Sequence, residues 1–142
     1  MTVATYAVAI DTDGDLTYVD AGEVVTADVL ARVGVRIVRG VDMSRPLLQP
    51  RAGECAYELR NDAKSGSKYP IDTISNGDLT RVQATSGSTY TLFEGRIDTA
   101  RQYPQIDRQS VGIVAQGVLA QLIGKKVSTA RYTEIATGTA LG

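Results

Sequence analysis

The chain of 142 residues contains no histidine. That absence removes Ser-His-Asp and Cys-His catalysis and the commonest protein metal ligand. One cysteine, Cys55, excludes an internal disulfide and any multi-cysteine zinc site. In Glu54-Cys55-Ala56-Tyr57-Glu58-Leu59-Arg60, Cys55, Tyr57 and Leu59 fall on one face of an extended strand. With no base to activate it, the thiol reads as a small buried hydrophobe and not as a nucleophile. Aromatics are scarce, with Phe93 and seven tyrosines, and they form no base-stacking motif. Charge is nearly balanced at −1, with 15 basic and 16 acidic residues, so no broad attraction to nucleic acid or an acidic membrane is expected. No apolar run approaches the roughly 20 residues a membrane helix needs, so no stable membrane insertion is expected. The first ten residues lack a basic region ahead of their apolar run and read as a first strand, not a signal peptide.

A hydrophobic content of 43% is ordinary for a globular domain. The pattern is dominated by period two. Residues 5–10 and 16–19 read as a hairpin whose tip is Asp11-Thr12-Asp13-Gly14-Asp15. The three aspartates have the spacing of a calcium loop. However, glycine stands fourth and not sixth, and the twelfth position is Gly22 and not a glutamate, so the tip reads as a solvated turn. Thr26-Ala27-Asp28 suits one helical turn or an irregular crossing. Residues 31–39 alternate clearly, with Val33, Val35 and Ile37 on one face and Arg32, Gly34 and Arg36 on the other; Arg39 ends the run. The arginine face meets either solvent or a neighbouring subunit.

Pro46 and Pro50 mark residues 41–52 as a connection, with Leu47 and Leu48 either folded onto the core or docked on a partner. Residues 53–60 form the Cys55 strand. Residues 63–76, including Lys64, Lys68 and Tyr69, are a long non-periodic stretch, either a solvated surface loop or an arm ordered by a partner. Residues 79–85 and 88–97 read as a hairpin around Ser86-Gly87, and Gly95 permits a bulge or bend late in its second strand. After a connection at Tyr103-Pro104, residues 109–116 form another strand, and residues 118–123 form a short helix able to plug one end of a barrel. Carboxylates such as Asp98, Asp107 and Glu134 offer acid and base groups in principle, but no motif joins them and the chain has no histidine, so no enzyme activity is expected.

The order of these pieces carries more than any one of them. Arg39-Gly40, the strand ending Leu59-Arg60-Asn61-Asp62, Tyr69-Pro70, Asn76-Gly77-Asp78, Leu92-Phe93-Glu94-Gly95-Arg96-Ile97, Val111-Gly112-Ile113-Val114-Ala115 and Gly117-Val118-Leu119 follow one another over residues 24–124. In this the chain resembles the N-terminal domain of minor tail proteins of long-tailed, actinobacteriophage-like siphophages. The resemblance implies a mainly β fold, a small antiparallel barrel or sandwich of the tail-tube and hub type with one short helix, over residues 1–124. It implies a virion protein of the tail tip, a distal-tail or baseplate-hub component made in the host cytoplasm. It also implies a homo-oligomeric ring, trimer or hexamer, that binds the tail-tube protein and other tail-tip proteins. DNA would pass only in transit, and no cofactor is implied. Arg32, Arg36, Arg39, Leu47, Leu48, Lys64, Lys68 and Tyr69 are the expected interface residues. Residues 125–142 look like an extension or the start of a further segment, leaving a short ring component and a piece of a longer tail-tip protein both open. The alternative from another class is a carbohydrate- or cell-surface-binding β-sandwich that uses tyrosine-bearing loops as a stacking platform.

Overall fold

The computed structural model describes residues 3–42, 49–62, 73–105 and 108–122. They build one mainly β unit of six antiparallel strands and one short helix: β1 (Thr5–Asp11), β2 (Val35–Asp42), β3 (Gln49–Arg60), β4 (Leu79–Ser86), β5 (Ser88–Gln105), β6 (Arg108–Gly117) and α1 (Val118–Leu122). The strand order across the sheet is β1-β4-β5-β6-β3-β2. The sheet is not a closed barrel, because its two margin strands, β1 and β2, do not pair; a sandwich-like arrangement is compatible with it.

The sheet nevertheless curls strongly about its inner face. β5 is 18 residues long; its first half pairs with β4 and its second half with β6, the two registers overlapping at Gly95 and Arg96. A bulge interrupts each register, one at Leu92 between the Val82–Phe93 and Gln83–Thr91 pairs, the other at Asp98 between the Ile97–Ala115 and Thr99–Val114 pairs. Bulges increase local twist and let a strand turn a corner between two packed layers. Gly95 lies at that corner, where a β-carbon would meet the carbonyl of Gln116 and lie 2.8 Å from the Phe93 ring. The bend thus requires glycine for closeness and not for an unusual φ.

The inner face of the curl is the core. Val8, Ile10, Cys55, Tyr57, Leu59, Val82, Phe93, Ile97, Val111, Ile113 and Ala115 are all buried, and Ile74 joins them from the turn before β4. The bulge at Asp98 resets the alternation: Ile97 faces in, Asp98 and Thr99 both face out, and Ala100 returns to the core. Residues 23–30 strap the β1 margin to β3, the strand next to the opposite margin. Val25 N–H donates to Val8 C=O and Ile10 N–H to Glu23 C=O, both at 2.9 Å; at the other end Leu30 N–H donates to Glu58 C=O at 2.9 Å. Isolated bridges pair Ala9 with Val24 and Val29 with Leu59. Thr26–Asp28 in the middle is a single 3-10 turn.

Several expectations are corrected. Residues 16–19 are not a strand and make no hairpin with β1, whose partner is β4, with Thr5 opposite Thr85 and Asp11 opposite Leu79. The Asp11 carboxylate accepts from Gly14 and Leu16 N–H, folding the tip back into a compact loop that cannot feed an adjacent strand. Residues 31–33 are a turn in which Val33 and Gly34 N–H both donate to Leu30 C=O, so β2 begins at Val35 and Val33 stays half exposed. The strand therefore starts four residues later than the alternation suggests. β2 runs on to Asp42 and β3 starts at Gln49, although prolines mark this stretch as a connection. Pro50 is tolerated because β3 pairs with β6 only from Glu54 onward, so no ladder donor is needed on that side. Likewise β5 continues through Tyr103-Pro104, with Pro104 opposite Gln109 near the strand end. α1 lies against β3, β5 and β6, and its Val118 and Leu119 are exposed.

Candidate functional site

Of the expected interface residues, Leu47, Leu48, Lys64, Lys68 and Tyr69 lie outside the described residues, and so do Asp107 and Glu134. The three arginines are exposed but differently held. Arg32 sits in the turn before β2, 3.9 Å from the Glu58 carboxylate. Arg39 reaches from β2 across the curl to the C=O of Leu92, the bulged residue of β5. Its charge is therefore engaged within the fold, covering a carbonyl that the bulge leaves out of the ladder. Arg36 projects from the start of β2. Asp98 occupies the second bulge, exposed, beside Thr99. The arrangement does not bring these residues to one point: the arginines follow β2 and the turn before it, while Asp98 lies on the interior strand β5.

That margin differs from its opposite. β1 is shielded over residues 8–10 by the strap, with Val8 N–H also bonded to Thr26 Oγ1 at 2.8 Å. Residues 5–7, by contrast, are exposed and extend past the strap. β2 is the terminal strand on the other side, and among the described residues no strand pairs with its outer edge. Val38, midway along it, is 40% exposed. An unpaired strand edge carrying an exposed branched residue is a ready template for another strand. On the inner face, Tyr6 on β1, Ala84 on β4 and Tyr90 on β5 stand side by side in register, both tyrosines exposed.

A second constellation sits at the end of β1. One carboxylate oxygen from each of Asp11, Asp13, Asp15 and Glu23 lies within 4.8 Å of every other. Asp11 and Glu23 are buried while Asp13 and Asp15 are exposed. Burial works to raise the Asp11 pKa, but N–H donors at Gly14 and Leu16, with help from Asp13 and Asp15, carry it below the usual value. The N–H of Asp15 works to lower the pKa of Asp13, but desolvation and the neighbouring charge of Asp15 outweigh it and raise that pKa. Glu23 was invisible to loop counting. It falls one place beyond the twelfth position, and only the pairing of the strap with β1 sets it beside Asp11.

A cavity of about 300 Å³ adjoins the strap, lined by Ile10, Val25, Asp28 and Ile74 among others. It collects one carboxylate and no paired nucleophile and base among the described residues. Cys55 is fully buried, and burial, reinforced by the Glu54 charge, pushes its thiol up to about 12. Among the described residues no helix is long and apolar enough to cross a membrane. No protein-family model matches the chain, and no curated protein matches it in sequence.

Proposed function

We propose that this chain is a structural component of a long-tailed bacteriophage tail tip, forming part of a ring that joins the tail tube to the baseplate or receptor-binding apparatus. The observation that carries this reading is the outer edge of β2, which no strand covers among the described residues, set against the half-covered edge of β1. Rings need heterologous contacts, each subunit presenting two different surfaces to its neighbours. The β2 edge of one subunit and residues 5–7 of the next provide such a pair. Strand addition between them satisfies backbone groups on both sides and continues the sheet around the ring. Arg36 and Val38 then sit within the contact, while Arg39 stiffens the curl that aims the edge. The ordered motifs of residues 24–124 supply the tail-tip setting of this assembly.

Amide hydrogen exchange across assembly tests the reading. The amides of β2 should gain protection as the oligomer forms, while those of β6, already paired on both sides, stay unchanged. An oligomer that forms with β2 exchange unaltered would contradict it. The Tyr6–Tyr90 row gives the carbohydrate-binding alternative a specific footing, because tyrosine faces stack on sugar rings. A glycan array with wild-type protein and Tyr90→Ala separates the two: sugar binding lost in the variant would favour the alternative.

A further inference from the structure

We propose that the loop from Asp11 to Glu23 is a calcium site, with Asp11, Asp13, Asp15 and Glu23 as its carboxylate ligands. The mutual spacing of these oxygens, within 4.8 Å, is that of groups sharing one coordination sphere. Calcium binds oxygen at about 2.3–2.6 Å, so ligands on opposite sides of one ion lie up to about 5 Å apart. The donors are all hard oxygens, which suits calcium and not zinc or copper. Four carboxylates on a loop also fit its irregular coordination better than the strict octahedron of magnesium.

Glu23 points to the ion independently. It is 1% exposed, its Oε2 accepts the N–H of Asp20 at 3.0 Å, and its Oε1 has no partner. A buried carboxylate oxygen without a donor is costly, and removing its partner leaves an uncompensated buried charge. Arg81, which sits over the Tyr18 ring at 4.0 Å, does not fill that role; no ion pair joins a basic side chain to any of the four carboxylates among the described residues. The backbone of Glu23 is held against the end of β1, its C=O bonded to Ile10 N–H and Val24 bridged to Ala9. The hydrogen bonds that the aspartates accept from Gly14, Asp15, Leu16 and Thr17 leave lone pairs for a cation, since each carboxylate offers about four.

Isothermal titration of the full chain, stripped with EDTA and titrated with calcium chloride, tests this. We expect one saturable site with Kd between about 10 µM and 1 mM, from the weak end of sensor sites to the extracellular modules. Magnesium chloride should bind at least tenfold more weakly. Glu23→Gln, which keeps the shape of the side chain, and the exposed Asp15→Asn should each weaken calcium binding at least tenfold. In EDTA, Glu23→Gln should melt no lower than wild type, because it removes an uncompensated charge. Absence of calcium binding up to about 10 mM, well above this range, would overturn the proposal. So would binding that survives both substitutions, since the ion would then lie elsewhere.

Discussion

Tyr57 Oη and Thr80 Oγ1 lie 2.8 Å apart, although their strands, β3 and β4, are separated by two others in the sheet. In a flat sheet three strand spacings would hold them about 14 Å apart. Thr80 Oγ1 also donates to Ala9 C=O at 3.0 Å, so the Tyr57 hydroxyl is the donor in the pair. This buried chain of Tyr57, Thr80 and Ala9 measures the curl directly, and Arg39 on the Leu92 carbonyl repeats the relation at the other end.

Tyr57→Phe should cost about 1 kcal/mol, because Thr80 keeps its acceptor at Ala9. Thr80→Val leaves the Tyr57 hydroxyl buried with this partner gone and should cost about 1–3 kcal/mol. Urea denaturation of the single and double variants should give a non-additive cycle; strictly additive losses would mean that the contact does not stabilise the curl.

Gly95→Ala should be more damaging than its size suggests. Its methyl meets the Gln116 backbone, which cannot rotate aside as a side chain does. A loss of about 1–3 kcal/mol, read as a lowered urea midpoint, is expected for such overpacking. Gly53→Ala, where the nearest atoms stand 3.5 and 3.8 Å away, is the matched control and should cost far less.

Cys55 should resist alkylation by iodoacetamide in the native chain and react in urea, since it is fully buried and its thiol is pushed up to about 12. The same burial makes the fold sensitive to alkali. Tyr18 is likewise raised to about 12, first by burial and then by the Glu94 carboxylate. Unfolded, the two groups ionise from the ordinary values of 9.0 and 10.0. Between pH 9 and 12 the unfolded chain therefore binds fewer protons than the folded one, and stability falls as pH rises through that window. Below it both groups are neutral in both states and contribute no slope. Cys55→Ala and Tyr18→Phe should each flatten the alkaline decline of the urea midpoint.

Val38→Lys tests the β2 edge. A charge placed on an exposed edge strand opposes pairing with another strand. The variant should remain folded, with an unchanged urea midpoint within about 0.5 kcal/mol, yet lose self-association by light scattering.

Local patterns were legible where local chemistry decides them. The Cys55-Tyr57-Leu59 face, the β4–β5 hairpin with its left-handed Gly87 at φ 78°, and the helix after Gly117 follow from alternation and turn residues. What escaped was set at long range. β1 pairs with a strand about 70 positions later, which no hairpin rule anticipates. Bulges at Leu92 and Asp98 break the alternation that a pattern assumes to be continuous. Glu23 joins Asp11 only because the strap pairs with β1, so counting twelve positions along the loop stops one residue short. The arginines show the same limit, since alternation separates Arg39 from Arg32 and Arg36 but only the curl brings the Leu92 carbonyl within its reach.

The most direct measurement is the native mass of the full chain over a concentration series. The assembly reading predicts a closed trimer or hexamer that grows in with concentration and disappears in Val38→Lys. A wild-type chain that stays monomeric across the series and does not join a preformed tail tube would contradict it.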